Sequence, residues 1–179
     1  GLRRRRIEVE RDGTRKWPPP ASTCPTSSKK IHVKSKNPVC YAATSTGCAI
    51  SDPLNKGWVV DLVSPGSPPV VKGERIVSFP LVRRGLVVVS SAIPSAEVCN
   101  PSGDSFLLEL DALTGGEFRG GAPFDVSGGG GVNGEDFVMF NGEARAASGI
   151  NLGVGMTRTP VVIEDSTQGV DFKYVSGTL

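Results

Sequence analysis

Residues 7–10 alternate apolar and polar side chains, Ile7-Glu8-Val9-Glu10, and Asp12-Gly13 follows them. Alternation with a period of two marks a half-buried strand, and Asp-Gly after such a run is a hairpin signal. The pattern predicts a return strand over residues 14–17, halted by Pro18, Pro19 and Pro20. Residues 18–56 are rich in Ser, Thr, Pro and Lys, with one short strand expected at 30–34. From residue 57 the apolar runs sharpen. Gly57-Trp58-Val59-Val60-Asp61-Leu62 reads as a strand that the Pro, Gly and Ser residues of 64–69 break. Further strands are expected at 74–79, 86–91, 105–110, 137–140, 159–163 and 170–175, with a tight turn at 111–115 and a flexible Gly tract at 128–131. Asn141-Gly142 is a second hairpin signal. Turns that recur so regularly between short strands predict an all-β sandwich, barrel or propeller.

Composition agrees. The 179 residues include 23 Gly and 14 Pro, about a fifth of the chain, which disfavours long helices. An apolar share of 38% still builds a core. No apolar run approaches the roughly 18–20 residues that span a bilayer, so membrane insertion is not expected. The basic N-terminus has no apolar stretch behind it, so no signal peptide is read there.

The net charge of +2 hides an asymmetry: residues 1–36 hold eleven Lys and Arg against three Asp and Glu, and residues 37–179 hold nine against fifteen. A basic arm beside an acidic body suits a protein contact at Arg3, Arg4, Arg5 and Arg6, or a solvated strand end. No aromatic residue interleaves with that run to stack on bases, so nucleic acid is not expected as a partner. Ile7, Val9 and Trp17 would form one apolar face of an edge hairpin too small to stay folded alone.

The four cysteines, Cys24, Cys40, Cys48 and Cys99, lack C-x-x-C spacing, and the one histidine is His32. A zinc site would use nearly every ligand the chain has. An even count in a loop-rich chain points to disulfides and an oxidising compartment. His32 lies between Ile31 and Val33, so in a strand its ring would point away from both, toward solvent.

One local pattern selects among the all-β architectures. Residues 78–91, SFPLVRRGLVVVSS, and 105–116, SFLLELDALTGG, read as one propeller blade: two antiparallel strands, then a third ending in a Leu-Asp-Ala-x-Thr-Gly turn. Asp111 can accept backbone N–H groups across that turn, and Gly115 can take the positive φ that closes it. At about 40–50 residues per blade, the chain is too short for a seven-bladed ring. Four segments in order, 57–62, 73–99, 105–116 and 124–178, resemble the C-terminal end of the PilY-type type IV pilus tip-associated proteins. The resemblance implies the last blades of a modified, quinoprotein-like β-propeller over residues 57–179. Residues 1–56 would form a basic hairpin plus an irregular, disulfide-stapled segment. It further implies a bacterial protein of the periplasm, pilus tip and cell surface that acts in pilus biogenesis and adhesion. Its partners would be minor pilins, the pilus tip complex and a host or surface receptor. Contacts would fall on loops such as 93–104 and 125–136. The family also tends to place a cysteine on either side of the two strands at 57–62 and 86–91. If those strands are antiparallel neighbours, Cys48 pairs with Cys99 and Cys24 with Cys40; the rival is the short loop Cys40–Cys48.

Residues 125–136 carry a degenerate calcium loop. An EF-hand-type loop needs oxygen ligands at its positions 1, 3 and 5, a Gly at 6 and an acid at 12. Here those positions hold Asp125, Ser127, Gly129, Gly130 and Asp136, with Asn133 as a further oxygen donor. The oxygen at position 5 is lost, and Asp replaces the usual bidentate Glu. The loop therefore reads as a structural relic, with weak calcium binding as the alternative and no cofactor required. Enzyme signatures are absent: there is no G-x-S-x-G, P-loop or H-E-x-x-H. Adjacent Glu135 and Asp136 would point to opposite faces of a strand. The expected function is non-enzymatic display and docking. A solute-binding or quinoprotein-like propeller, and a carbohydrate-binding β-domain displaying exposed aromatics such as Trp17, Trp58 or Tyr41, are the rivals.

Overall fold

The computed structural model describes residues 2–13, 29–42, 45–95, 103–167 and 169–178. Twelve strands are present among them: β1 (Arg3–Gly13), β2 (Lys29–Lys34), β3 (Trp58–Asp61), β4 (Arg75–Ile76), β5 (Leu81–Arg83), β6 (Leu86–Ile93), β7 (Asp104–Asp111), β8 (Phe137–Phe140), β9 (Glu143–Ala146), β10 (Gly149–Asn151), β11 (Val161–Asp165) and β12 (Val170–Tyr174). The only helical element among the described residues is one 3₁₀ turn, Gly134–Asp136. The all-β expectation holds. Eight strands form one sheet in the order β3-β1-β2-β10-β7-β6-β4, with β5 also paired to β6. β8–β9 and β11–β12 are separate two-stranded ribbons.

β6 and β7 are buried on both faces, which explains why their sequences run apolar instead of alternating. Ile31, Leu86, Val88, Leu107, Phe124, Ala147 and Ile150 form one core cluster, and Val89, Phe106 and Leu108 form another. β10 threads between β2 and β7, where Gly149 faces both His32 and Leu108. A Cβ at Gly149 would lie 2.5 Å from Leu108 Cδ2 and 3.3 Å from His32 Cβ, so a side chain there would have to displace the buried Leu108.

The blade pattern appears as β5–β6–β7, all antiparallel, with Arg84 (φ 50°) and Gly85 (φ 79°) as the two central residues of a tight hairpin. The turn after β7 is built as its residues require. Asp111 Oδ1 accepts the N–H groups of Leu113 (3.1 Å) and Thr114 (2.8 Å), and Gly115 takes φ 66°. The Trp58 ring lies over Gly115, 2.3 Å from where a Cβ would stand, and its Nε1 donates to Ala112 O at 3.0 Å. Asn141-Gly142 closes β8 onto β9, as expected.

Three expectations are corrected. The antiparallel partner of β1 is β2: Asp12 and Gly13 are themselves in register with Lys30 and Lys29, so they extend the strand rather than turn it. The return strand at 14–17, with Trp17, lies outside the described residues. Secondly, β3 pairs in parallel with β1 (Arg3 opposite Trp58, Arg6 opposite Asp61), and four strands separate it from β6. β1 is thus paired on both sides rather than left as an edge, and the one sheet contains strands from both sides of residue 56. Thirdly, His32 is fully buried and stacks on Phe106, ring centroids 3.7 Å apart, because both faces of β2 are covered, Ile31, Val33 and Lys34 being buried as well.

Candidate functional site

The sheet order decides the cysteine pairing. Since β3 and β6 are not neighbours, the geometry that favoured Cys48–Cys99 is missing. Cys40 and Cys48 are joined instead, which excludes Cys24–Cys40 as well. Hydrogen bonds from Ser45 N to Ala42 O and from Cys48 N to Ser45 O, both 3.0 Å, fold the intervening chain back and bring the two Cα atoms to 5.8 Å. Cys24 and Cys99 lie outside the described residues. The stapled loop is anchored at its start: Asn55 Oδ1 accepts Cys40 N at 2.8 Å, and the Tyr41 hydroxyl donates to Leu113 O at 2.6 Å. Asp52 lies within 4.8 Å of both sulfurs, but bonded sulfurs offer no thiolate to a metal.

The arginines at 3–6 do not form one docking run. Arg5 is buried, with its Nε donating to Thr114 O at 2.8 Å and its Nη1 to Ser35 O. It is therefore a structural strut, and the expectation that it meets a partner is corrected. Arg4 is exposed and paired with Asp61 on the adjoining strand at 2.6 Å. Beyond Arg5, Arg145 Nε donates to Glu117 at 2.8 Å and its Nη2 to Lys34 O at 2.6 Å. Lys36 reaches Glu143 at 2.8 Å, and its ammonium holds that carboxyl below the usual range. Two cavities share Lys36, Asn37 and Pro38. One of 610 Å³ is walled by Pro65, Phe140, Glu143 and Arg145, and one of 330 Å³ by Arg5, Thr114 and Glu117.

In the 125–136 loop the side chains of Asp125, Ser127, Asn133 and Asp136 all accept backbone N–H groups of the loop itself. Burial works against charge on Asp125, but the N–H groups of Gly130 (2.9 Å), Gly128 (2.5 Å) and Gly129 (3.1 Å) outweigh it and hold the carboxyl below its ordinary range. Ser127 Oγ donates to the same carboxylate at 3.3 Å. Asp136 is fully buried; one oxygen accepts Ser127 N (2.8 Å) and the other Asn133 N (2.7 Å). Asn133 Oδ1 accepts Glu135 N at 2.7 Å, completing a capping box around the 3₁₀ turn. The loop thus satisfies its own N–H groups with the oxygens a cation would want.

A charged seam that the sequence did not single out joins the β11–β12 ribbon to the body. Arg83 donates to Asp171 at 2.8 Å and to Glu164 at 2.6 Å, and Arg84 donates to Glu164 at 2.6 Å and to Gly169 O. The Asp171 bond, then that to Glu164, raises the Arg83 pKa; Arg83 in turn holds both carboxyls low. Lys173 meets the fully buried Glu109 of β7 at 2.7 Å, beside the Phe124 ring. Burial pushes the Glu109 carboxyl up, and Lys173 draws it back. The available signal was the alternation Val170-Asp171-Phe172-Lys173-Tyr174, which sorts these residues onto two faces.

No family model matches the chain. Over 106 residues, 57% of the chain, it is 32% identical to a type IV pilus biogenesis factor PilY1 homolog of Xylella fastidiosa, and the match spans 8% of that protein. Its fold is similar to the crystal structure of the Pseudomonas aeruginosa PilY1 C-terminal domain, with a TM-score of 0.69 and 21% identity, covering 99% of this chain and 30% of that one. The PilY-type resemblance is therefore met both in sequence and in an all-β, propeller-type fold.

Proposed function

We propose, on the premise that this sequence and this fold are those of the C-terminal propeller region of a PilY-type protein, that the chain serves the type IV pilus in biogenesis and surface adhesion. The observation that carries this reading is the agreement of two independent likenesses, one in sequence over 106 residues and one in fold over 99% of the chain. The mechanism is docking and display without chemistry of its own. A sheet whose central strands are buried on both faces is a stiff platform. The stapled 40–48 loop and the self-closed 125–136 loop stand on it. The proposed partners are minor pilins and a receptor, at the periplasmic and cell-surface ends of the pilus. A non-enzymatic role is supported by the state of the one histidine, which is buried in the core and held neutral. The carbohydrate rival gains nothing from Trp58 or Tyr41, since both are tied to the 111–115 turn.

The test is deletion of this region from the gene that encodes it, with surface pili counted by electron microscopy and adhesion scored on cells. Purified chain is passed over periplasmic extract and bound minor pilins are identified by mass spectrometry. Loss of pili or adhesion together with minor-pilin retention supports the proposal; wild-type piliation and adhesion with no pilin retained overturns it.

The 125–136 loop is proposed to be a structural relic that does not bind calcium tightly, because each candidate ligand oxygen already accepts an N–H. Calorimetry should give no binding, or a dissociation constant of about 10⁻⁴–10⁻³ M. Submicromolar binding lost on Asp125→Ala would contradict this. Ser127→Asp combined with Gly129→Asp should tighten binding by restoring carboxylates along the same loop path.

A further inference from the structure

Lys36, Asn37 and Pro38, just past the end of β2, are the common wall of the two cavities, which adjoin as one cleft. The larger side is apolar along Pro38, Val63, Pro65, Pro69 and Phe140. The smaller side is basic, with Arg5, Lys36 and Arg119 against the one carboxylate of Glu117. That carboxylate is already engaged, by Arg145 Nε at 2.8 Å and by the Lys36 ammonium at 3.7 Å. Three polar side chains of the cleft are open. The Asn37 and Asn141 amides make no side-chain hydrogen bond among the described residues, and the exposed Arg119 makes no ion pair there. An amide is donor and acceptor at once, so an open one suits a peptide group. A free guanidinium is a fork that suits a carboxylate.

Lys36 is the charged group that both cavities share. Its ammonium meets Glu143 at 2.8 Å, but the two side chains are 46% and 60% exposed. An ion pair so open to water is weak, so Glu143 occupies the place of a carboxylate without holding it firmly. The volumes, 610 and 330 Å³, fall in the range of about 300–1,000 Å³ that bound ligands fill. The cleft therefore offers an apolar wall, two open amides, a cation with a replaceable counter-ion and an unpaired guanidinium. A ligand that uses all four has an apolar side chain, peptide groups and two carboxylates. Inorganic phosphate or a free dicarboxylate would use the cations and leave the apolar wall and the amides idle.

We propose that this cleft binds an extended acidic peptide segment of a partner chain. An apolar side chain of the segment lies between Pro65 and Phe140, one carboxylate replaces Glu143 on Lys36, and a second meets Arg119. The test titrates the isotopically labelled 179-residue chain with the acetylated, amidated peptide Leu-Ser-Glu-Ser-Glu, followed by amide NMR shifts. In an extended peptide its Leu and both Glu side chains share one face. Saturable shifts should appear at Lys36, Asn37, Arg119 and Asn141, with half-saturation below about 1 mM. The same peptide with Gln for Glu should bind about tenfold more weakly, and so should Lys36→Gln with the acidic peptide. Glu143→Gln frees Lys36 and should tighten binding about two- to fivefold. Glu164→Gln removes the same charge outside the cleft and should change nothing. Arg119→Gln and Asn37→Ala break no side-chain contact within the chain, so both keep the fold; they should lose about tenfold and threefold. No saturable shift, equal binding of the Gln peptide, or wild-type affinity in either of these two variants overturns the proposal. Equal tightening by Glu164→Gln also overturns it. So does glutarate saturating the same amides as tightly as the peptide, which would make the cleft a site for small dianions. Peptide affinity is read without pili, so this proposal and the pilus role fail separately.

Discussion

His32 and Gly115 show how single residues are held to their places by contact. Burial first, then the charges of Lys34 and Lys72, lower the His32 pKa from 6.5 to about 2. The unfolded chain therefore takes up the proton before the folded one does. Stability is full above pH 6.5 and declines as the pH falls from there toward 2. His32→Gln should flatten the dependence of melting temperature on pH between 6.5 and 4, read by circular dichroism; an unchanged slope would assign the acid response to other groups. Gly115 meets two demands at once, a positive φ and the Trp58 ring pressed against it. Gly115→Ala should lower stability by about 2–4 kcal/mol, from left-handed strain plus overpacking, as measured by urea unfolding.

At the scale of elements, the β11–β12 ribbon is held by charge where most hairpins are held by apolar packing. The exposed Arg84–Glu164 pair contributes little, because water and salt screen it. The Lys173–Glu109 pair differs because Glu109 has no access to water. Lys173→Met leaves that carboxyl without its counter-charge and should cost about 2–3 kcal/mol, below the value for a fully buried pair because the lysine keeps some exposure. Glu109→Gln combined with Lys173→Met should recover most of the loss, and hydrogen exchange at Phe172 and Lys173 should follow the same order. A double variant no more stable than Lys173→Met alone would show that the pair does not anchor the ribbon.

Across the whole molecule, the N-terminal strand is a structural member. β1 is the sole link between β3 and β2 in the sheet order, and Arg5 reaches from it to the 111–116 turn. Deleting residues 1–13 would leave β3 without a partner and open the edge of β2. The deletion should abolish a cooperative thermal transition or lower its midpoint by more than about 10 °C, because several kcal/mol of sheet pairing and burial go with it. A deletion variant with an unchanged midpoint would make the strand a dispensable tail.

What the sequence determined by itself was local. Asp111 and Gly115 specify their turn, Asn141-Gly142 specifies a hairpin, and the apolar runs of β6 and β7 announce strands, because turn chemistry and strand period act between residues near in the chain. The four oxygen-bearing residues of 125–136 were legible for the same reason. The tertiary structure decided which strands are neighbours, and with that the fate of residues whose partners are distant. The parallel β1–β3 pairing, absent from any local pattern, undid the argument for Cys48–Cys99 and divided Arg4 from Arg5. His32 passed from an expected solvent face to the core because β2 is covered on both of its faces. In β11–β12 the alternation told which residues share a face, but not which face turns inward. That was settled by Arg83, Arg84 and Glu109, which lie more than fifty residues away in the chain and within hydrogen-bonding distance in the fold.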